Sequence, residues 1–511
     1  MHRFLYFSAA IICGFSILTA FRPALQEDGA KPESAQCLVD SIGSAEPMRS
    51  ALLGVLAVKG DCDTILSYNP YNKLLPASNT KLITTGIAML QLGPDWQFTT
   101  TLQSNSSICN GELNGDLYIV GGGDPTIGAN YDGTPKLEET FTQWKAILDS
   151  LGVKKINGKV IGDGRYFEGD PIPDSWAIFD MGYDYFGACE ALNVYQNTIR
   201  IKIPGGAAPD QILSGPISTK PELPWLNVES EAVTTRGLGN KLYAIPGILR
   251  PCAYVKGTLG VKHKAAYLKI TNNFPAYTCA QLFHNFLVNN GFEISDGYAD
   301  VGPLGNVRTD LNNPHQGPDA QTGMAVLGST RSVPLKQIIT DCNRDSDNFY
   351  AETLLRTVGK NVLGAADYKT CKAGRDTMFR RLGLELRNGC NLVDGSGLSR
   401  ENNVSPDFFV RFLKAMSKTP VFPHYLESLP QPGKGTLEFR LKSEPDSLKQ
   451  RVFMKSGSMG GVVCFSGYIL PQDGNPENTI IFSIMTNNVS GPASHVYKLL
   501  ESIIARLARE N

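Results

Sequence analysis

The sequence predicts an α/β protein in which both ends of the chain mix helices and strands, while the long middle is mostly β. Three observations favour this fold class. Two strand patterns meet at a turn near residues 59–61, short strand patterns with glycine turns fill residues 103–303, and apolar residues recur at helical spacing between residues 496 and 507. The chain has 511 residues, 42% hydrophobic, which is enough for packed cores in about two to four domains.

The first part of the chain begins with a predicted hairpin and continues into a buried helix. Residues 52–58 and 64–66 have strand patterns around the turn, residues 74–77 are typical of a loop, and residues 82–90 form an apolar helical run. The helix is therefore expected to begin near Ser78. The free N–H groups and the positive dipole end of a helix lie at such a start.

Strand patterns dominate the middle of the chain, and mixed patterns return in the last third. Residues 117–120, 159–162 and 268–271 are strand examples, and one helical pattern spans residues 137–151. Later segments predict a helix after residue 348, a hairpin of residues 451–454 and 462–470, and an amphipathic C-terminal helix. We expect that last helix to pack on a sheet rather than on a membrane.

Three short motifs, far apart in the chain, carry most of the chemical information. They are Ser78-Asn79-Thr80-Lys81, Ser346-Asp347-Asn348 and Lys455-Ser456-Gly457. In this order they fit SxxK, SxN and K[ST]G, nearly the set found in β-lactamases and penicillin-binding proteins. Each motif alone is a weak signal, and the ordered trio is specific.

Ser78 and Lys81 are the predicted nucleophile and base. Their spacing puts both side chains on one face of the helix. A serine hydroxyl needs a neighbouring base, and a lysine amine can serve only when burial or a nearby cation lowers its pKa. Lys455 is the predicted second cation. Taken alone, SxxK also fits a serine helix cap followed by a solvated lysine.

The second motif predicts roles on the leaving-group side of the reaction. Ser346 can relay a proton to a leaving amine. Asn348 can donate to a substrate amide carbonyl and hold Lys81. The same three residues are also preferred helix caps, and a cap is compatible with these roles.

The third motif predicts a substrate-binding strand. Lys455 and Ser456 would receive a carboxylate, and Gly457 leaves room for close approach. An edge strand beside a nucleophile can pair with an extended peptide through its backbone. The backbone N–H groups of Ser78 and Ser458 are the predicted oxyanion hole.

The chain resembles the low-molecular-mass class C penicillin-binding proteins, a family of D-alanyl-D-alanine carboxypeptidases and endopeptidases. The likeness extends beyond the three motifs to several other segments. These are Pro76-Ala77, Gly121-Gly122-Gly123-Asp124-Pro125, Ala191-Leu192-Asn193-Val194, Val393-Asp394-Gly395-Ser396-Gly397-Leu398-Ser399-Arg400, Pro432-Gly433 and Gly435-Thr436-Leu437. Ser456 stands where the family more often has threonine, and its hydroxyl retains the expected carboxylate contact.

The resemblance implies a transpeptidase/β-lactamase-like domain with a central antiparallel sheet flanked by helices. The serines of the first two motifs lie 268 positions apart (346 − 78), which leaves room for inserted domains. We therefore predict a discontinuous catalytic domain of residues 35–102 and 304–511. Residues 103–303 would form an insertion of one or two mostly β domains.

The resemblance also implies the reaction and its participants. The expected function is a serine D-Ala-D-Ala carboxypeptidase or endopeptidase that acts on peptidoglycan stem peptides through an acyl-enzyme. β-Lactam antibiotics would be covalent inhibitors, and no cofactor is required. The resemblance suggests that Asp163, Arg400 and Met459 line the pocket for the stem-peptide side chain. Asp163 also fits a turn and Arg400 a surface charge.

Two other functions remain open on the sequence alone. A β-lactamase shares the trio but needs a base for deacylation, such as the glutamate of an ExxLN loop. Glu190 is followed by Leu192-Asn193 after one residue instead of two, so the segment is one residue short of that spacing. A non-catalytic cell-wall binding protein on the same fold is the second alternative, although the intact trio argues against it.

The N-terminus and the cysteines bear on location. Residues 1–20, with Arg3 before an uncharged apolar run, predict a signal peptide and export to the periplasm or cell envelope; an uncleaved anchor is the alternative.

Removal of the signal peptide takes away Cys13 and leaves ten cysteines (11 − 1), an even count that favours disulfides. Plausible local pairs are Cys371 with Cys390 and Cys252 with Cys279; buried thiols are the alternative. The net charge of −1 and the Cys/His spacings give no case for nucleic acid or metal.

Overall fold

The computed structural model describes residues 34–60, 63–302, 304–313, 315, 317–387 and 389–510. The predicted signal peptide lies outside these residues. The α-helices are α1 (Ala35–Ser44), α2 (Thr80–Leu92), α3 (Leu137–Ser150), α4 (Pro275–Asn289), α5 (Leu335–Asp345), α6 (Asn348–Leu363), α7 (Tyr368–Arg381), α8 (Pro406–Ser417), α9 (Phe422–Glu427), α10 (Asp446–Lys449) and α11 (Ala493–Arg509). Short 3-10 helices span Ala77–Asn79, Ile178–Gly182, Tyr195–Asn197, Gly435–Leu437 and Pro476–Asn478.

The strands fall into two long sheets and several small ones. In the first half of the chain they are β1 (Leu52–Lys59), β2 (Asp63–Tyr68), β3 (Thr99–Ser104), β4 (Ile108–Cys109), β5 (Glu112–Leu113), β6 (Leu117–Val120), β7 (Lys155–Ile156), β8 (Val160–Asp163), β9 (Thr198–Pro204), β10 (Ser218–Lys220), β11 (Asn227–Ser230), β12 (Val233–Thr235), β13 (Tyr243–Pro246) and β14 (Cys252–Lys256). The remainder are β15 (Thr258–Gly260), β16 (Ala265–Thr271), β17 (Glu293–Ile294), β18 (Tyr298–Val301), β19 (Val307–Arg308), β20 (Ala325–Arg331), β21 (Val452–Met459), β22 (Val462–Ile469) and β23 (Ile480–Asn487).

A five-stranded antiparallel sheet, in the order β2-β1-β23-β22-β21, joins the two ends of the chain. Alternate side chains of β22 point to opposite faces of this sheet. Phe465 packs in the apolar core with α1 and α11, whereas Cys464 and Tyr468 pack in the core with α2 and α8. Helices therefore cover both faces, which confirms the predicted α/β fold with a central antiparallel sheet.

Helix α2 is buried on all sides over most of its length because it lies inside the helical layer. Its residues from Thr80 to Met89 are buried, and Tyr425 donates to the Leu82 carbonyl at 2.8 Å. Helices α5 and α6 pack beside it, and the short helix Ala77–Asn79 packs against β21 and β22. The N-terminal end of α2 is thereby fixed against the edge strand of the sheet.

The middle of the chain builds a second sheet, in the order β19-β18-β8-β6-β3-β20. Helices α3 and α4 cover it through a core that includes Trp144 and Phe283. The sequence predicted α3 and missed α4, whose aromatic and β-branched residues are also common in strands. A smaller β region, built on β9 and β14, has its own apolar core.

The second sheet bears on the predicted domain boundaries. The boundary between residues 102 and 103 falls within β3, and β20 lies beyond residue 304 although it pairs with β3. If the whole second sheet belongs to the insertion, the insertion begins near residue 98 and ends near residue 333. The division into domains stays a prediction.

The described cysteines are free thiols rather than disulfides. Cys371 and Cys390 are not bonded to each other, and neither are Cys252 and Cys279. The predicted local pairs are therefore absent, and the alternative of free thiols describes these positions. In the residues that the structure covers, no helix combines the length and apolarity needed to cross a membrane. The same residues contain no group of three or more His, Cys, Asp or Glu side chains that could hold a metal ion.

Candidate active site

The structure brings Ser78 and Lys81 together at the beginning of α2. Ser78 lies in the short helix Ala77–Asn79, and Lys81 follows in the first turn of α2. The Lys81 side chain is fully buried, and its Nζ donates to Ser78 Oγ at 3.0 Å. A spacing of three residues therefore places an amine directly on the hydroxyl.

Two further acceptors orient the Lys81 amine. Its Nζ donates to Asn348 Oδ1 at 2.5 Å and to the Ser396 carbonyl at 2.8 Å. A neutral amine has two N–H bonds and one lone pair. With the N–H bonds directed to Asn348 and Ser396, the lone pair is left for the Ser78 hydroxyl proton.

Burial favours the neutral form of this amine. Desolvation lowers the pKa of Lys81 below the ordinary lysine value. Acidic side chains nearby oppose that shift, because a negative charge on them favours the ammonium form. They are Cys342, Asp394, Glu352 and Asp347. Burial raises the pKa of the Cys342 thiol to about 12, so the charge is carried by the carboxylates. The net direction is a lowered pKa, as a lysine base requires.

Lys455 is a second buried amine in the same region. It lies in β21, and its Nζ donates to the Ser456 carbonyl at 3.0 Å. Burial, and next the charge of Lys81, hold the pKa of Lys455 well below its usual range. Burial is thus the first cause of the lowered pKa for both lysines, and the repulsion between them adds to it at Lys455.

The second motif joins the end of α5 to the beginning of α6. Ser346 adopts the left-handed conformation with φ 61°, and Asp347 caps α6 by accepting from the Tyr350 N–H at 2.9 Å. Asn348 accepts from Lys81 and donates through Nδ2 to the Tyr185 carbonyl at 2.8 Å. One residue of the motif therefore caps the helix while the next holds Lys81.

The third motif lies inside β21 rather than after it. The sequence predicted a strand that ends at Met454, and the structure continues the pairing with β22 to Met459. Gly457 is required by a close approach: a Cβ there would lie 2.7 Å from the Pro76 carbonyl and 3.1 Å from the Ser78 nitrogen. The edge strand therefore runs directly against the segment that carries Ser78.

The open edge of β21 directs one row of backbone N–H groups away from the sheet. The Met454 N–H points away from β22 and donates to the Pro430 carbonyl at 3.1 Å. N–H groups alternate in direction along an antiparallel strand, so those of Ser456 and Ser458 face the same open side. This is the side on which an oxyanion or an extended peptide would bind.

These elements surround a cavity of about 600 Å³ that is lined by both predicted and unpredicted residues. Predicted residues in its wall are Ser78, Ser346, Asn348, Arg400, Ser456, Ser458 and Met459. Further lining residues are Asp180, Tyr185, Gly397, Leu398, Thr436, Gly460 and Tyr497. Ser456 Oγ donates to Thr436 Oγ1 at 3.2 Å, and Asp180 accepts from the Tyr185 hydroxyl at 2.9 Å.

Asp163 does not belong to this cavity, contrary to the sequence prediction. It ends β8 with its carboxylate buried, and Arg165 binds that carboxylate through Nε and Nη2. Among the described residues that line the cavity, Asp180 is the carboxylate, beside Arg400 and Met459. The sequence carried no motif that distinguished Asp180 from other acidic residues, because the fold alone places it there.

The fold and the Ser–Lys pair together define a class, the serine enzymes of the penicillin-binding type, which have a lysine beside the serine and include both peptidases and β-lactamases. The sequence matches the D-Ala-D-Ala carboxypeptidase 3 (S13) family over residues 36–507, nearly the whole chain. The chain therefore belongs to this family, and the resemblance predicted from its motifs is confirmed.

Individual relatives agree with the family assignment. The chain is 29% identical over 504 residues to a D-alanyl-D-alanine carboxypeptidase of an Actinomadura species, covering 95% of this chain and 87% of the relative. It is 26% identical to the carboxypeptidase DacB of Haemophilus influenzae, covering 79% of each chain. The crystal structure of penicillin binding protein 4 (dacB) from Haemophilus influenzae has a TM-score of 0.75 at 24% identity, covering 93% of this chain and 98% of that one, which shows a shared fold.

Proposed function

We propose that this chain is a serine D-Ala-D-Ala carboxypeptidase and endopeptidase that acts on peptidoglycan stem peptides through an acyl-enzyme on Ser78. The observation that carries the proposal is the buried Lys81 amine at 3.0 Å from Ser78 Oγ, in a member of a D-Ala-D-Ala carboxypeptidase family. Its chemistry follows from the residues around that pair.

Acylation begins with proton transfer from Ser78 to Lys81. As the Ser78 oxygen bonds to the carbonyl carbon of the D-Ala-D-Ala peptide, the carbonyl oxygen becomes an oxyanion. The N–H groups of Ser78 and Ser458 bind that oxyanion on the open side of β21. Removing one such donor typically lowers the rate roughly 100- to 1,000-fold.

Collapse of the tetrahedral intermediate breaks the carbon–nitrogen bond. The leaving amine of D-Ala takes the proton that Lys81 received, and Ser346, which lines the cavity, would relay it. Water then attacks the Ser78 ester, with Lys81 again as base, and Ser78 regains its proton.

The third motif and the cavity wall bind the substrate. Lys455 and Ser456 would receive the terminal carboxylate, and Gly457 lets the peptide lie close to Ser78. Asn348 would donate to a substrate amide carbonyl. For the stem-peptide side chain, Asp180 takes the position first assigned to Asp163, because it lines the cavity.

Arg400 and Met459 keep their proposed place in the side-chain pocket. Both line the cavity that contains Ser78, and a Cβ on Gly460 would lie 3.4 Å from Arg400 Nη2. An acidic, a basic and an apolar group in one wall suit a side chain that carries both charges. Turnover of stem peptides that differ in their diamino acid would identify the one that this pocket prefers.

β-Lactam antibiotics are expected to acylate Ser78 and to leave slowly. Their amide occupies the position of the D-Ala-D-Ala bond, and the leaving nitrogen stays tethered after ring opening. A β-lactamase would need a base for deacylation, and Glu190 lines a different cavity from Ser78. Its position therefore favours the peptidase over the β-lactamase.

The location of the protein is proposed from its N-terminus and its substrate. Residues 1–20 fit a signal peptide, and peptidoglycan lies outside the cytoplasmic membrane. We therefore place the protein in the periplasm or cell envelope, where an uncleaved N-terminal segment would be its membrane contact.

The proposal is tested with fluorescent penicillin, intact-mass spectrometry and a D-Ala release assay on a pentapeptide. Wild-type protein should form a stable one-to-one adduct and release D-Ala, and Ser78→Ala should do neither. No adduct with intact penicillin would favour a non-catalytic binding protein. Rapid hydrolysis of penicillin without an adduct would favour a β-lactamase.

A further inference from the structure

We propose that Glu352 is a positioning residue: its buried carboxylate fixes the turn at residues 394–399, so that the Ser396 carbonyl directs the Lys81 amine toward Ser78. The inference deepens the proposed function and rests on it, because it concerns the base in that reaction. Glu352 itself does not line the cavity that contains Ser78.

The carboxylate of Glu352 holds two consecutive N–H groups of the turn. Glu352 lies one helical turn after Asn348 in α6 and is fully buried. Its Oε1 accepts from Gly395 at 3.0 Å and from Ser396 at 2.7 Å, and its Oε2 accepts from Gly395 at 3.0 Å. From the opposite side, the Thr84 hydroxyl of α2 donates to the Gly395 carbonyl at 2.6 Å. The turn is thus fixed between the two helices that carry Lys81 and Asn348.

The next peptide group of the turn connects directly to Lys81. The Ser396 carbonyl accepts from Lys81 Nζ, and the N–H of the same peptide group, on Gly397, donates to Asp394 at 2.9 Å. A peptide that donates to a carboxylate is a stronger acceptor at its carbonyl. Displacement of this turn would therefore remove the contact that leaves the Lys81 lone pair facing Ser78.

A buried carboxylate at this position loses its hydration, a desolvation penalty that an uncharged side chain would not incur. Burial, together with the charge of Asp394, raises the pKa of Glu352 to about 7, against hydrogen bonds from the turn. Its negative charge in turn raises the pKa of Lys81. Glu352 thus acts on Lys81 in two ways, through the position of the turn and through charge, and two substitutions separate them.

Glu352→Ala removes both acceptor oxygens, whereas Glu352→Gln keeps one. Because Oε1 accepts from both Gly395 and Ser396, an amide oxygen there keeps one bond to each N–H group. The charge and the second contact of Gly395, with Oε2, are lost. Glu444→Gln is the matched control, since that buried carboxylate binds Arg509 and neither residue lines the active cavity. Unfolding temperatures show which variants fold.

The readouts are the rate and pH dependence of Ser78 acylation by penicillin, with KM and kcat for the pentapeptide. Glu352→Ala should lose roughly 100-fold in acylation rate and kcat with a smaller change in KM, as for a base displaced from its target. Glu352→Gln should acylate at a rate near that of wild type, with the acid limb of its profile at lower pH. Loss of a negative charge favours the neutral Lys81 amine, and the other titratable groups around it are unchanged. They are Cys342, Asp347, Asp394 and Lys455.

The outcomes separate this inference from the proposed function. A Glu352→Ala protein that folds and acylates at the wild-type rate would overturn the positioning role while the acyl-enzyme stands. An acid limb that Glu352→Gln leaves in place would overturn the charge effect on Lys81. Failure of the wild type to form any adduct would overturn the proposed function instead. If Glu352→Ala does not fold, Glu352→Asp replaces it, because it keeps the charge and withdraws the carboxylate from Gly395 and Ser396 by one methylene group. A wild-type acylation rate in Glu352→Asp would then overturn the positioning role.

Discussion

At the scale of single residues, the proposed chemistry depends on the protonation state of Lys81. Its amine is buried with three acceptors, one for each hydrogen of an ammonium group. Protonated, it satisfies all three and has no lone pair for Ser78. Neutral, it becomes a base, and burial is the effect that makes this form accessible.

The acylation rate should therefore fall as the pH decreases through the lowered pKa of Lys81. The half-maximal rate is expected below pH 10.5, the ordinary lysine value, because burial disfavours the ammonium form. Lys81→Arg should lose roughly 100- to 10,000-fold at every pH, since a guanidinium does not deprotonate in proteins. Fluorescent penicillin labelling of both proteins across pH measures this. A midpoint at or above the ordinary lysine value, or an active Lys81→Arg protein, would contradict the role of Lys81.

Residues with a fixed local spacing could be predicted from the sequence, and residues that only the fold brings together could not. The three-residue spacing of Ser78 and Lys81 determines their contact within one helix. Asp180 lies far from every motif, and its place in the cavity depends on the path of the chain between α3 and β9. The resemblance suggested Asp163 instead, whose carboxylate is already bound by Arg165.

At the scale of elements, the edge strand β21 and the beginning of α2 form the site by close contact. The sequence predicted the two strands of this hairpin but ended the first at Met454, because small and polar residues follow. Pairing with β22 overrides that local preference up to Met459. The contact itself needs a residue without a side chain, and Gly457 supplies it.

Gly457→Ala should separate β21 from the nucleophile. The added Cβ would lie 2.7 Å from the Pro76 carbonyl and 3.0 Å from the Asn79 nitrogen, both backbone atoms that cannot rotate away. A shift of about 1 Å at Ser78 would lower acylation roughly 100-fold. Stopped-flow labelling with fluorescent penicillin measures this rate. Gly239→Ala is the control, because a Cβ added there would meet no atom within 4 Å. Equal rates in the two variants would show that the contact is unnecessary.

At the scale of the whole molecule, the site needs segments from distant parts of the chain. The spacing of the motifs indicated an interruption, and β1 and β23 do pair across it. The arrangement of the middle sheet could not be predicted, since its short strands gave no pairing order and α4 lacked a distinct helical pattern.

One buried arginine connects α6 to the segment that supplies Asp180 and Tyr185. Arg356 donates to the carbonyls of Glu168 at 2.6 Å, Asp170 at 3.1 Å and Cys189 at 2.7 Å. Its guanidinium also lies against the rings of Phe167 and Tyr368. Both ends of the loop that reaches the active site, at residues 168–170 and 189, are therefore held by one side chain.

Arg356→Lys should destabilise the protein and impair peptide turnover more than penicillin binding. A lysine cannot match the planar fork, so at least one buried carbonyl loses its donor, at about 1–3 kcal/mol of unfolding free energy. The loosened loop carries Asp180 and Tyr185, which line the cavity, whereas Ser78 and Lys81 lie on α2 and its preceding turn. KM for a pentapeptide should therefore rise while penicillin acylation changes less.

Denaturant unfolding and the two kinetic assays measure these effects of Arg356→Lys. Arg411→Lys is the control, because Arg411 pairs with Asp407 on the partly exposed face of α8. Equal losses in both assays would place the effect of Arg356 on the Ser–Lys pair rather than on the loop.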